Sequence, residues 1–336
     1  LHEKPDKGYC FRQTSSLLGH ALAASYFSRP KLRILLKKSL HMAASIRRGL
    51  GDAMNTSKWL KRTLLKESIK KLNNIKWSLG YPSGLHNSAS LNVFYQYYPN
   101  VAYPFLTSFL LTARAHMKNI LQLVVTPRSV ATVKDTGEFE TRAAYKYALN
   151  AIAVTPAMML PPNLCQEAPP EVNYGGLGHV LSFHIVRAYD WTGLRFSEKA
   201  SLKPPWIDVF RLRHQKGIDC LTSKRSKIQR RKTSPGFFSD YLAEIMAIEP
   251  LYRAYRNATS HKFSLLIKGL KDLSGDKLFF FSWCHSLCSS RSAKKTFQDD
   301  SSLRCNIPLM GMKQFSQAFH CPINSNMNPE KSCRYW

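Results

Sequence analysis

The segment spanning residues 173–190 carries the side chains whose types and spacing could do chemistry, among them His179, His184, Arg187 and Asp190. Two imidazoles can hold a divalent metal ion, and a neighbouring carboxylate can accept a proton from metal-bound water. On a helix, however, His179 and His184 are five residues apart in the sequence and diverge by about 140°. A single ion cannot be bound by both rings from one helix face. The two histidines alone therefore do not predict a metal site.

The same segment predicts a glycine-containing turn that leads into a helix. From residue 173 it reads Asn-Tyr-Gly-Gly-Leu-Gly-His-Val-Leu-Ser-Phe-His-Ile-Val-Arg-Ala-Tyr-Asp. Apolar side chains recur at the spacing of one buried helix face, three to four residues apart. These are Leu177, Val180, Leu181, Ile185 and Ala188. The other face carries His179, Phe183, His184 and Arg187.

Position by position, this segment resembles the active-site helix of the neprilysin and endothelin-converting-enzyme family of zinc metallopeptidases. That family has Asn-Tyr-Gly-Gly-(Ile/Leu)-Gly, three residues, His-Glu-x-x-His, two more residues and Asp. The resemblance places the first zinc histidine of the family at Phe183, the catalytic glutamate at His184 and the second zinc histidine at Arg187. The closing aspartate is retained as Asp190.

The residues at these positions cannot do the family's chemistry. Phe183 has no lone pair for a metal, and Arg187 brings a permanent positive charge to a place where the family holds a dication. His184 could act as a base, but without a metal it has no acidic water to deprotonate. The resemblance therefore implies a family member whose catalytic positions are replaced. We predict no cofactor, although the family uses one zinc ion.

A second part of the resemblance supplies two acids. Asp-Tyr-Leu-Ala-Glu at residues 240–244, ahead of Tyr-Arg-Ala-Tyr, resembles Glu-Asn-Ile-Ala-Asp in the family. It implies that Asp240 occupies the position of the third zinc ligand and Glu244 that of the aspartate which orients a ligand histidine. Asp240 is one bond shorter than glutamate, and the two acids share one helix face. We expect Arg187 to pair with Asp240, Glu244 or Asp190, because buried acids need a counter-charge.

The resemblance also names residues for catalysis and substrate binding. Matching the carboxy-terminal segment, which contains Phe-Ser-Gln-Ala-Phe-His-Cys from residue 315, retains the substrate-binding arginine as Arg304. It places the transition-state histidine at Gln298 and a nearby aspartate at Thr296. The asparagine and alanine that grip a substrate backbone fall at Arg142 and Ala143. Arginine can donate but not accept a hydrogen bond, so half of that grip is lost.

For the fold, the resemblance implies a mainly α structure with a small β-sheet, a thermolysin-like (gluzincin) zinc-peptidase domain. Residues 1–140 form a helical region leading into a degenerate metallopeptidase domain at 141–336, and the amino-terminal part of the full protein is expected to be missing. Helical spacing runs from Cys10 to Pro82, whereas alternation in Thr141–Val154 predicts a pair of strands. No apolar run reaches the length of a membrane-spanning helix.

The charge is strongly basic, with 49 Lys and Arg against 21 Asp and Glu and a formal net charge of +28. Such a surface favours polyanions such as heparan sulfate, nucleic acid or acidic lipid. The most basic run, Ser223–Lys232, is either a polyanion site or a solvated loop, and we favour the loop.

The cysteines indicate an extracellular location. Eight cysteines without metal-binding spacing and the glycosylation sequons at Asn55 and Asn257 are typical of a secreted protein, or the ectodomain of a membrane-anchored one. The resemblance implies a disulfide between Cys220 and Cys333. It matches Cys10, Cys288 and Cys321 to cysteines whose partners lie in the missing amino-terminal half. Cys165, Cys284 and Cys305 are expected to be small buried side chains.

Two functions remain open at this point. The first is a non-catalytic homologue that binds peptides or surface polyanions. The alternative is an active secreted or membrane-anchored zinc metalloendopeptidase, which would need replacement ligands for zinc. The sequence leaves open whether the chain is a fragment, a pseudogene product or a selected pseudoenzyme.

Overall fold

The computed structural model describes residues 7–27, 29–85, 87–100, 104–125, 139–202, 207–225, 235–259, 273–288, 301–331 and 333–336. The predicted fold class, mainly α with a small sheet, is confirmed. Gln298 and Thr296 lie outside the described residues, as does most of the basic run after Arg225. None of the described helices is both long enough and apolar enough to cross a bilayer.

The described helices and strands follow one another through the whole chain. The helices are α1 (Lys7–Phe27), α2 (Pro30–Thr56), α3 (Arg62–Asn73), α4 (Ser88–Phe94), α5 (Phe105–Val125), α6 (Pro170–Asn173), α7 (His179–Val186), α8 (Ile207–Arg225), α9 (Pro235–Thr259), α10 (Gly275–Ser286), α11 (Ser301–Met310) and α12 (Lys313–Ala318). The strands are β1 (Lys76–Leu79), β2 (Ala143–Lys146) and β3 (Ala151–Val154).

The three strands form one sheet in the order β1-β3-β2, so β2 is an edge strand. The predicted strand pair within Thr141–Val154 is confirmed as β2 and β3. The prediction of helix throughout Cys10–Pro82 is wrong at β1. The amide of Lys76 donates to the carbonyl of Asn150, 2.9 Å away, and this pairing partner is distant in sequence. Helical spacing in the preceding residues carries no information about such a partner.

Residue contacts divide the chain into two compact units, each built from separate segments. The first consists of Leu1–Lys37, Trp77–Ala143 and Ala153–Leu160. The second consists of Lys38–Lys76, Ala144–Ile152 and Pro161–Trp336. The sequence-based division at residue 140 stays a prediction.

An aromatic cluster forms a core in the first unit. Its buried members are Ala23, Ala24, Phe27, Tyr81 and Leu85. The Tyr81 hydroxyl lies 2.8 Å from the His20 carbonyl and 3.1 Å from the Leu85 carbonyl, so its polar end is satisfied inside the apolar cluster.

The second unit is organised around α7, which packs against α9. Of the five residues predicted to form the buried face, Leu177, Leu181, Ile185 and Ala188 are fully buried, whereas Val180 is only partly buried. His179, predicted on the other face, is also buried. The glycines before α7 continue it as a π-helical turn, Tyr174–Gly178, rather than as an open turn. A Cβ on Gly176 would lie 2.4 Å from the carbonyl oxygen of Asn163, so only glycine allows this close approach.

Two disulfides lie within the second unit. The predicted bond between Cys220 and Cys333 is confirmed. The expectation that Cys284 and Cys305 are simple buried thiols is wrong, because they form a second disulfide. The packing of α10 against α11 brings their Cα atoms to 5.0 Å, which sequence spacing could not show. Cys10, Cys165, Cys288 and Cys321 are free thiols.

A buried lysine on α3 fixes the turn that follows α7. Lys71 is fully buried, and its Nζ donates to the carbonyls of Ala188 at 2.8 Å, Gly193 at 2.5 Å and Phe196 at 2.7 Å. Burial lowers the pKa of Lys71 to about 7. Three carbonyl acceptors match the three donors of an ammonium group, so Lys71 satisfies backbone carbonyls of the segment that follows α7.

We expect the substitution Lys71→Met to lower the free energy of unfolding by about 2–4 kcal/mol, because three buried carbonyls lose their donor. Urea unfolding followed by circular dichroism measures this change. The matched control is Lys70→Met, whose half-exposed ammonium group makes a surface ion pair with Glu198 and should matter little. Equal destabilisation by the two substitutions would contradict the role assigned to Lys71.

Candidate functional site

Helices α7 and α9 bring together most of the residues that the sequence singled out. Phe183 lies on α7, Arg187 and Asp190 follow it, and Asp240 and Glu244 lie one turn apart on α9. The hydroxyl of Ser182 donates to the Ala247 carbonyl at 2.7 Å and fastens the two helices side by side. All of these residues belong to the second unit.

Arg187 stands between two carboxylates, as predicted. One Nη atom donates to Asp190 Oδ2 at 3.2 Å and to the hydroxyl of Ser239 at 3.1 Å, and the other pairs with Asp240 Oδ1. The Arg187 side chain is 16% exposed and that of Asp190 7%, so this contact is largely shielded from water, whereas Asp240 is 39% exposed. The predicted pairing with Asp190 or Asp240 is confirmed. Glu244, the third candidate partner, has other partners.

Asp190 is a buried carboxylate with all of its acceptor positions used. Its Oδ1 accepts from the amides of Thr192 at 2.9 Å and Gly193 at 2.7 Å. Its Oδ2 accepts from Arg187 and from the Tyr147 hydroxyl at 2.6 Å. Burial and the charge on Asp190 raise the pKa of Tyr147, which keeps the phenol protonated as a donor. Asp190 is therefore an ionised acid that organises the end of α7.

Glu244 is completely buried and is held by two cationic side chains. Its Oε1 accepts from Arg304 Nε at 3.1 Å and from an Nη of the same guanidinium, and its Oε2 lies 2.7 Å from His179 Nε2. Burial alone would raise the pKa of Glu244, but the charges and hydrogen bonds of His179 and Arg304 outweigh burial and lower it. Glu244 is therefore ionised and bonded at both oxygens.

Both ring nitrogens of His179 are engaged in hydrogen bonds. Nε2 lies 2.7 Å from Glu244 Oε2, and Nδ1 lies 2.6 Å from the Ser286 hydroxyl, which is itself 2.7 Å from the Trp283 carbonyl. Neither ring nitrogen of His179 is therefore directed at the space between Arg187 and its carboxylates.

Phe183 lies where the two arginines meet. The guanidinium carbon of Arg187 is 4.7 Å from the centre of the Phe183 ring, and that of Arg304 is 5.5 Å away. An aromatic face attracts cations at such distances. At the position where the family has a zinc ligand, this chain therefore has a side chain that stabilises positive charge without donating a lone pair.

His184 is neutral. Burial, together with the nearby charges of Arg187 and His179, lowers its pKa to about 3, against the attraction of Glu244. Its ring contacts that of Phe183 edge-on, with 5.2 Å between ring centres. At the position of the family's catalytic glutamate, the chain thus holds an uncharged imidazole.

The carboxylates of the cluster are paired with side chains of the chain. Asp190 and Asp240 face the guanidinium group of Arg187, and Glu244 faces the guanidinium group of Arg304 and the His179 ring. In the part of the chain that the structure describes, no group of three or more His, Cys, Asp or Glu is arranged to hold a metal. The residues present do not fit the zinc ion that the resemblance implies, because the carboxylate oxygens of Asp190 and Asp240 that face this space are paired with the Arg187 guanidinium, and Phe183 offers no lone pair.

The remaining predicted residues keep the status of predictions. Arg142 and Ala143 belong to the first unit. The amide of Arg142 donates to the Thr155 hydroxyl at 3.0 Å, its carbonyl accepts from the Thr155 amide at 2.9 Å, and the residue is exposed. Arg304 is bonded to Glu244, and substrate binding by any of the three is untested.

Sequence reasoning missed the partners of Glu244. His179 was noted as a possible replacement ligand, yet it is the residue that Glu244 orients. The available signal was its position four residues before Phe183, which places both side chains on one helix face. The resemblance implied only that Glu244 orients a ligand histidine; the histidine that it contacts is His179, one helical turn before Phe183.

The chain resembles known proteins over nearly its whole length. The family model described as peptidase family M13 matches residues 142–335. Neprilysin-2 of Caenorhabditis elegans is 23% identical over 97% of the chain and 46% of its own length. Endothelin-converting enzyme 1 of Bos taurus is 22% identical over 98% of the chain and 45% of its own length. The chain therefore spans about half the length of these relatives.

Solved structures show the same fold. The zinc metalloprotease Zmp1 of Mycobacterium tuberculosis, in complex with an inhibitor, is matched with a TM-score of 0.76 at 17% identity, over 100% of this chain and 51% of that one. PepO from Lactobacillus rhamnosis is matched with a TM-score of 0.71 at 16% identity, over 95% of this chain and 49% of that one. At this identity the likeness concerns the backbone fold.

We expect Arg187→Met to destabilise the protein by about 2–3 kcal/mol, because Asp190 and Asp240 lose their counter-charge in a shielded site. The control is Arg253→Met, whose partner Glu249 lies on the same helix at a partly exposed site, and which should cost less than about 1 kcal/mol. Adding Asp240→Asn to Arg187→Met should restore part of the loss. Chemical unfolding of wild type, Arg187→Met, Asp240→Asn and the double variant tests this coupling, and simple additivity would contradict it.

His184 should make the folded protein less stable as the pH is lowered below about 6.5. The unfolded histidine takes up a proton near pH 6.5, whereas the folded one does so near pH 3, so the unfolded state binds more protons between these values. The stability advantage of wild type over His184→Gln should therefore shrink as pH falls from 6.5 to 5, by up to about 1.4 kcal/mol per pH unit. Urea midpoints at several pH values measure it. The contributions of Glu244 and His214 to the pH dependence are present in both proteins and largely cancel in the difference between them. A difference in stability that does not change with pH would contradict the prediction.

Proposed function

The chain belongs to peptidase family M13, and we propose that it is a non-hydrolysing member that does not bind zinc at the family's metal position. The observation that carries this proposal is the charge-paired cluster: Arg187 occupies the space between Asp190 and Asp240. A dication placed there would meet a fixed guanidinium at contact distance, which costs several kcal/mol in a shielded site.

The proposal does not depend on a single substitution. Metal binding would require Asp240 to leave Arg187. Phe183 could contribute nothing to a coordination sphere. Hydrolysis would require, in addition, a base beside the scissile bond, and without a bound metal His184 would have no activated water to deprotonate. The non-catalytic function is therefore favoured over the alternative, an active zinc metalloendopeptidase like others of its family.

The role that remains is binding. Strand β2 lies at the edge of its sheet, and edge strands can add an extended peptide by backbone hydrogen bonds. The exposed Arg142 side chain beside β2 could contact such a peptide. A second candidate ligand is a polyanion such as heparan sulfate, which the net charge of +28 favours. We place this binding outside the cell, because two disulfides within one unit are typical of oxidising compartments.

Restoring the metal site should restore zinc binding. A variant with Phe183→His, His184→Glu, Arg187→His and Asp240→Glu should carry about one zinc ion per chain that a chelator removes, whereas the wild type should carry almost none. Elemental analysis after dialysis against zinc measures both. The control carries only His184→Glu and Asp240→Glu. It gains acidic side chains but no imidazoles, so it should stay nearly zinc-free. Circular dichroism verifies that each variant is folded.

The wild-type protein gives the decisive comparison. Stoichiometric zinc in wild type, together with chelator-sensitive cleavage of a quenched peptide, would overturn the proposal in favour of the active endopeptidase. Wild type without zinc and without turnover is the expected result.

A further inference from the structure

Helix α5, in the first unit, carries an apolar stripe on its exposed side. Its members are Leu106, Leu110, Met117 and Leu121, which are 65%, 58%, 56% and 59% exposed. At about 100° per residue, these four positions fall within an arc of about 60°. The stripe extends about 22 Å along the helix. Scattered surface leucines are ordinary, but four aligned on one narrow face are typical of a surface that another phase or molecule covers.

The opposite face of α5 is anchored, so the stripe cannot turn inward. Ser108 and Thr112 are buried on that face. The Tyr98 hydroxyl lies 2.9 Å from His116 Nδ1 and connects α5 to the segment that follows α4. The fold thus holds the hydroxyls of Ser108 and Thr112 inside and the four side chains of the stripe outside, the reverse of the usual arrangement of an amphipathic helix.

Positive charge borders the stripe on one side. Arg114 and Lys118 are exposed, and on the helical wheel they follow Leu121 at about 20° and 60°. The sequence contains no Asp or Glu between Glu67 and Asp135, a stretch that includes all of α4 and α5. A partner of this face must therefore accept apolar side chains and bring negative charge.

We propose that this face of α5 lies on an anionic membrane surface, with the four apolar side chains at the boundary between headgroups and acyl chains. An amphipathic helix with cations beside its apolar face binds such an interface, and each cation adds attraction to acidic headgroups. A second copy of the chain fits this face poorly, because each copy brings a net charge of +28. A nucleic acid or glycan would match the charge but offers no apolar partner for the leucines.

Vesicle co-flotation of the whole 336-residue protein tests the proposal. We expect binding to phosphatidylcholine vesicles that contain phosphatidylserine, and much weaker binding to phosphatidylcholine alone. Leu110→Glu with Met117→Glu should reduce binding more than about tenfold. The control, Leu212→Glu with Ile323→Glu, makes the same charge change at side chains that are 66% and 83% exposed in the other unit, and it should reduce binding far less.

A second pair of variants separates the charges from the stripe. Arg114→Gln and Lys118→Gln should each weaken binding by roughly fivefold. All of the substituted side chains are exposed, so the variants should fold, and circular dichroism verifies this. Three results would each overturn the proposal. The first is that the wild-type protein does not bind anionic vesicles. The second is that the stripe variant, Leu110→Glu with Met117→Glu, and the control variant lose vesicle binding equally. The third is that the wild type does not bind vesicles but dimerises with increasing concentration, and the stripe variant does not dimerise.

Discussion

The site depends on one electrostatic constraint: a carboxylate removed from water must face a positive charge. Asp190 and Glu244 are buried and ionised, and Asp240 is half-buried beside them. In a zinc peptidase a dication can supply the compensation. Here Arg187 compensates Asp190 and Asp240, and Arg304 with His179 compensates Glu244. The acids are thus retained, and the charge that faces them is carried by side chains of the protein.

The same contacts hold the two helices together through side chains of the protein. The guanidinium of Arg187 links α7 to α9, as a shared metal ion would, and Asp190 connects the same point to Tyr147 and to the amides after α7. Lys71 closes the turn from the other side through three carbonyls. The fold around α7 and α9 is thus stabilised by contacts that do not themselves require catalytic chemistry.

The sequence predicted those features that local spacing and motif positions determine. It located α7 and its buried face, placed Asp240 and Glu244 on one helix face, and gave Arg187 its partners. It did not predict that His179 bonds Glu244, since that contact depends on the distance between α7 and α9 and on the hydroxyl of Ser286. The sequence also did not predict strand β1 or the Cys284–Cys305 disulfide, because in each case the partner lies elsewhere in the sequence.

The central claim is that a guanidinium occupies the position of the metal. Crystals soaked in zinc, with diffraction recorded at the zinc absorption edge, test it most directly. We predict density for the Arg187 guanidinium between Asp190 and Asp240 and no anomalous peak in that space. An anomalous peak within bonding distance of Asp240, with Arg187 turned away toward solvent, would contradict the account.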